Sequence, residues 1–144
     1  MSFDLAILNG DLVIAANADL GTVQGNPKLI QDILKIALTQ AGANALQPWY
    51  GSLISQSLIG SYLSSDITIS VAQSQLQNAI QNLQNLQNLQ VQSGQTVTPD
   101  EQIAFINDIS ITRNPTDPRL YQVVISVLTR SFGSVSATFT ANNT

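Results

Sequence analysis

At 144 residues, 44% of them hydrophobic, the chain is long enough to bury one ordinary core and too short for two comfortable domains, so residues 1–144 are read as one domain. Its five basic residues, Lys28, Lys35, Arg113, Arg119 and Arg130, stand against nine acidic ones, which excludes the clustered cations that binding to nucleic acid requires. With neither Cys nor His, thiolate and imidazole chemistry, disulfides and the commonest metal ligands are excluded as well.

The opening "MSFDLAILNGDL" has no basic stretch ahead of its apolar run, which breaks at Asn9, so it is not read as a signal peptide. No later stretch approaches the roughly 18 unbroken apolar residues of a membrane span, and the expectation is a soluble, cytosolic product with no membrane partner. "FDLAIL" (3–8) and "DLVIAA" (11–16) flank Asn9-Gly10, a dipeptide suited to the positive φ angles of a type I′ turn. This predicts an N-terminal β-hairpin within residues 1–20.

The helical part is expected over residues 26–92. Asn26 is the predicted cap of a first helix and Pro27 sits in its first turn. Leu29, Ile30, Ile33, Leu34, Ala37 and Ala41 share one face, and Gly42 is the predicted stop. The next stretch, "LQPWYGSLI" (46–54), holds the only tryptophan. A stacking platform for a base or sugar would need a basic groove or polar cluster beside it, and none accompanies Trp49 and Tyr50. Pro48, Trp49, Tyr50 and Gly51 are therefore read as a structural corner covering the end of the first helix.

A second helix is expected from the Ser64, Ser65 and Asp66 caps to about Gln92, with Ala72, Leu76, Ala79, Leu83 and Leu86 forming its apolar stripe. Within it, "QNLQNLQNLQ" spaces leucines three apart, a step that falls about 60° short of a full helical turn. Ile80, Leu83, Leu86 and Leu89 thus sweep across half the circumference, which serves either one broad sheet surface or a sheet plus a partner helix. "SGQTVTP" (93–99) reads as a flexible connection. Thr98 and Glu101 then have capping-box spacing, which predicts a short helical turn feeding a strand.

From there the period changes to two. Ile103, Phe105, Ile109 and Ile111 are expected on one side of a strand, with Asp108, Ser110 and Thr112 on the other. "SVSATFT" alternates Val135, Ala137 and Phe139 with hydroxyls, while "LYQVVISVLTR" (120–130) is apolar on nearly both faces and suits the middle of three strands. "NPTDP" and "FG" supply the turns. The predicted class is α+β: two main helices packed on a C-terminal three-stranded antiparallel sheet spanning 100–141.

Little in this inventory performs chemistry. A glycosidase needs two carboxylates roughly 5–10 Å apart, one with a raised pKa. The single glutamate is Glu101, and with Asp100 it is read as charge on an exposed first turn. Asp4, Asp11, Asp19, Asp32 and Asp66 are scattered without the spacing of a calcium loop, and "VQGNPK" has too few glycines for a phosphate loop. No catalytic residue, cofactor or metal is expected. Only 10% of residues are charged, against roughly 25% in average domains, and such a surface suits burial in a larger assembly.

The ordered features resemble a known family. "GTVQG" precedes the first helix and "LTQAGANALQPWYGSLISQSL" follows it, with Leu38-Thr39, Gly42, Pro48 and Tyr50-Gly51-Ser52 as the most specific series, then a long helix and strands. This order is similar to the small baseplate wedge proteins of contractile phage tails, the phage W and T-even wedge family, with relatives in type VI secretion baseplates and extracellular contractile injection systems. The resemblance implies a sheath-like fold and a non-enzymatic role in the virion tail baseplate, assembled in the host cytoplasm. It further implies other wedge subunits, sheath protein and hub or tube proteins as partners, with the chain joining the wedge and initiating sheath polymerisation.

The family's Glu-Pro-Arg signature corresponds by position to Asp100, Glu101 and Gln102, a degenerate match; Asp117-Pro118-Arg119 lies one strand later and does not take over its role. The expected partner interface comprises Asp100, Glu101 and Gln102, the edge strand with Val135, Ala137 and Phe139, which another subunit's strand can complete, and Leu86 and Leu89 of the leucine sweep. Two alternatives stand beside this reading. Some relatives carry a lysozyme label, which would make Glu101 the centre of a peptidoglycan-cleaving enzyme, and a generic adaptor domain could bind a helical partner through its Gln and Asn surface.

Overall fold

A computed structural model describes residues 3–8, 11–54, 65–117 and 119–142. At the N-terminus, β2 (Ile7–Leu8) pairs with β3 (Asp11–Leu12) as the expected hairpin requires, and the Asn9-Gly10 turn lies outside the described residues. The simple hairpin is nevertheless corrected. β1 (Asp4–Leu5) pairs with β4 (Thr22–Val23), Ile14 bridges Leu20, and Ala6 joins both arms by donating to the Gly21 carbonyl and accepting from the Val13 N–H. A third arm returning through Ala15–Asp19 competes for the first, and the result is a three-armed meander reaching Val23.

Helix α1 spans Gly25–Leu38 and buries Leu29, Ile33, Ile36 and Ala37, with Ile30 and Leu34 at the margin of the core. Its start and end differ from the sequence expectation. Gly25, at φ +63°, is the first helical residue, so Asn26 lies inside the first turn beside Pro27 and does not cap. At the other end Thr39 is already extended, and Ala41 is off the helix. The stop comes from tertiary pairing: Ser52 N–H donates to the Thr39 carbonyl (2.8 Å), Ala41 N–H to the Ser52 carbonyl (3.1 Å), and the buried Ser52 hydroxyl to the Ala37 carbonyl (2.6 Å). Those bonds pull the chain out of helical geometry before Gly42 is reached.

Pro48, Trp49, Tyr50 and Gly51 lie in the turn that closes this loop. Trp49 and Tyr50 meet edge to face at 6.1 Å, with Tyr50 half-buried against the core; Trp49, at 43% exposure, is covered less than expected. Gly51 makes the close approach possible. At φ +119° a Cβ there would lie 2.6 Å from the Thr39 carbonyl oxygen and 2.8 Å from the Ala41 nitrogen.

Helix α2 spans Ser65–Gln92, matching the expected bounds; the side chains of its predicted caps are outside the described set. Ala72, Leu76, Ala79, Ile80 and Leu83 are buried, Leu86 is half-buried and Leu89 is 60% exposed. The sweep therefore leaves the core as it proceeds. In the following segment Gly94 N–H donates to the Val91 carbonyl and Gln95 N–H to the Gln90 carbonyl, the paired bonds of a Schellman terminus. Gln102 Nε2 then holds the Val97 carbonyl.

After a single 3₁₀ turn at Pro99–Glu101, where the capping-box spacing expected a helical turn, come β5 (Ile103–Arg113), β6 (Leu120–Thr129) and β7 (Ser134–Asn142). They form an antiparallel sheet in the order β5-β6-β7. The fold is α+β, with α2 against β5, α1 against β7, and the two helices touching each other. Tyr121, Val123, Ile125 and Val127 of the central strand are buried beneath the helices.

One strand face is corrected. Register shifts at Ile103/Phe105 and Ile106/Asp108 mark two bulges, each of which reverses the alternation. Ile103, Ile106, Ile109 and Ile111 face inward, and Phe105 is turned out at 54% exposure. The outer face carries Ser136, Thr138 and Thr140 of β7. Among the described residues no helix is long and apolar enough to cross a membrane.

The Gly51 contacts generate a stability prediction. Gly51→Ala should cost roughly 1–3 kcal/mol, because the added carbon meets main-chain atoms and adopts an unfavourable φ. Urea unfolding of wild type and variant measures it; equal stability would show that the corner relaxes freely.

Candidate assembly interface

Glu101 is not the exposed charge expected from sequence. It is 1% exposed at the end of the 3₁₀ turn, while its neighbour Asp100 is exposed. One carboxylate oxygen accepts the Gly25 N–H at 3.1 Å, and the other accepts the Thr98 N–H at 3.4 Å. Gln24, the residue preceding α1, makes no side-chain cap, so a carboxylate from 76 positions away takes an N-terminal donor of α1 and complements its dipole. The capping-box spacing was the sequence signal for the bond to Thr98; nothing local indicated Gly25.

Gln87 and Gln102 complete this junction. Gln87, 4% exposed, donates to the Glu101 carbonyl at 2.7 Å and accepts the Ile103 N–H at 2.9 Å. Gln102 is 8% exposed, and its carbonyl accepts the Arg130 N–H. Asp100, Glu101 and Gln102 are thus brought together, but only Asp100 presents its side chain to solvent.

The second charged cluster ties the N-terminal meander to α1. Lys35 pairs with Asp4 and with Asp32 (3.6 Å), and Lys28 pairs with Asp32 (3.0 Å). Burial pushes the Asp4 carboxyl up, but its hydrogen bond and charge contact with Lys35 prevail and hold it below the ordinary value. For Lys35 burial pushes down, and the hydrogen bond to Asp4 with the charges of Asp32 and Asp4 raises it above its ordinary value. Burial, with Asp32 and Asp4 adding to it against Lys35, raises Tyr50. These groups border a cleft of about 360 Å³ whose charges are mutually compensated. Gln31 adds a strand-like clamp, donating to the Leu5 carbonyl and accepting the Ile7 N–H.

The strand proposed from sequence as an edge is one. β7 pairs with β6 on one side and is the last strand of the sheet. Val135 and Ala137 are buried and Phe139 is half-buried, all against the chain's own helices, so their side chains are committed to this core. What β7 offers a partner is main chain. Thr129 N–H donates to the Gly133 carbonyl at 2.8 Å; alternation along the register then directs the groups of Val135, Ala137 and Phe139 toward β6 and those of Ser136, Thr138 and Thr140 toward the open edge. At the tip of that hairpin Phe132 adopts φ +66° and is 87% exposed. Leu86 and Leu89 lie elsewhere, on the far end of α2, and Pro48–Gly51 belongs to the corner.

Among the described residues no group of three or more carboxylates could hold a metal ion. No family model matches the chain, and no curated protein matches it. Among solved structures it is similar to a crystal structure described as a "putative tail lysozyme" from Geobacter sulfurreducens, with a TM-score of 0.60 and 11% sequence identity over 81% of this chain and 89% of that one. At that identity the likeness is one of fold: helices and sheet are arranged alike although few side chains are shared.

Proposed function

We propose that this chain is a non-enzymatic wedge component of a contractile tail baseplate, where it contacts other wedge subunits and starts the sheath by accepting an extended sheath segment at β7. The observation that carries the reading is the nine-residue β7, paired on one side, with alternate main-chain groups directed outward. The fold shared with a tail protein supports the setting. Leu86 and Leu89 supply a second contact, for a helix of a neighbouring wedge subunit.

The lysozyme name of that neighbour raises the enzymatic alternative, and the environment of Glu101 argues against it. A general acid must reach the glycosidic oxygen. Both oxygens of this glutamate are bound to main-chain N–H groups in a site 1% exposed.

Thr138→Pro removes an outward N–H that the sheet does not use, and proline is tolerated at such edge positions, so the chain should fold with nearly unchanged melting. Particles assembled with it should show a roughly tenfold or greater loss of sheathed tails by electron microscopy, as expected for a lost intermolecular hydrogen bond and a blocked approach. Normal sheath growth would sink strand addition at β7. Glu101→Gln keeps the shape but sets an amide donor against an N–H, and should cost about 1–3 kcal/mol in urea unfolding. Wild-type chain should leave a cell-wall suspension uncleared; clearing that Glu101→Gln abolishes would restore the enzymatic reading.

A further inference from the structure

The glutamine tract of α2 has a role at the opposite edge of the sheet. Gln73, Gln84 and Gln87 fall close to one line along the helix, beside the apolar stripe and facing β5. Gln73 Nε2 donates to the Ile109 carbonyl at 3.0 Å. Gln84 Nε2 donates to the carbonyls of Ala104 (2.9 Å) and Ile103 (3.3 Å). Gln87 donates to Glu101 and accepts the Ile103 N–H.

These are edge groups of the sheet. Asn114 N–H donates to the Leu120 carbonyl, and alternation from that pair directs the main-chain groups of Ser110 toward β6 and those of Ile109 away from it. The two bulges alter the phase, yet Ile103 again points outward, onto Gln84 and Gln87. A side-chain amide carries one acceptor and two donors, as a strand edge demands; lysine lacks the acceptor and glutamate the donor. The helix therefore offers β5 a discontinuous substitute for a neighbouring strand.

We propose that Gln73, Gln84 and Gln87 form an amide ladder that closes the β5 edge to strand addition, so that the sheet accepts an extended partner segment from the β7 side alone. An unguarded second edge on an 11-residue strand would invite pairing between copies of the chain or with the wrong face of a partner. The direction of assembly rests on the β7 reading given above; the closure of β5 stands independently of it.

The test has one arm in wild-type protein and one in variants. By NMR, the side-chain NH₂ protons of Gln73, Gln84 and Gln87 should exchange with solvent about tenfold or more slowly than those of Gln81, which is exposed on the same helix. Equal rates would overturn the ladder whatever the variants do. Gln73→Leu/Gln84→Leu leaves the buried Gln87 in place and should associate, showing a higher mass than wild type at equal concentration in size-exclusion chromatography with light scattering. The control Gln81→Leu/Asn85→Leu adds the same apolar surface at exposed positions and should match wild type. Adding Thr138→Pro to the double variant should leave its association intact, since β7 is not the edge exposed. Association that the control reproduces, that Thr138→Pro removes, or that fails to occur would overturn the proposal, and none of these outcomes depends on sheath assembly.

Discussion

A buried carboxylate in a chain with few charges needs donors, and Glu101 finds them in two main-chain N–H groups that no other side chain serves. Because one donor belongs to Gly25 and the other to Thr98, the same side chain meets the start of α1 and closes the turn after α2. Gln87 then reads the carbonyl of Glu101 and the N–H of Ile103 from the side of α2. Three elements, α1, α2 and the start of β5, are held at one point.

With both helices anchored at that junction, their apolar faces cover one side of the sheet and leave the other to a mixed surface, with Ser136, Thr138 and Thr140 of β7 beside the outward Phe105 of β5. The layering determines what remains for other molecules. Val135 and Ala137 look inward, so what β7 leaves open at its free edge is main chain, bordered by the side chains of Ser136, Thr138 and Thr140. On the far edge the bulges and the glutamines act together: the bulges turn Phe105 outward and interrupt the ladder, while Gln73 and Gln84 occupy carbonyls that a strand would otherwise seek. The two edges of one small sheet are thus chemically unlike.

The N-terminal meander is attached differently. It contributes little to the core, and Leu5, Ile7, Leu12, Ile14 and Leu20 remain substantially exposed. Its hold on α1 is polar, through the Gln31 clamp and the Asp4–Lys35 pair. Partly exposed pairs of this kind contribute about 1 kcal/mol or less each, so this segment is bound to the body by geometry more than by buried area.

Periodicity in the sequence determined the two helices, the three C-terminal strands and their order, because each face repeats within a few residues: Ala72, Leu76, Ala79 and Leu83 along α2, Val135, Ala137 and Phe139 along β7. The Thr98–Glu101 turn and the Gly51 corner were equally legible, being local geometry written in local residues. Only the folded chain decided that α1 starts on Glu101 instead of Asn26, that it stops at Thr39 under the pull of Ser52, that two bulges exchange Phe105 for Ile106, and that the glutamines face a strand edge. Each of those depends on a hydrogen-bonding group supplied from a distant part of the chain or from a register set by the neighbouring strand. A period describes which face a residue occupies; what waits opposite that face is set when the chain folds back.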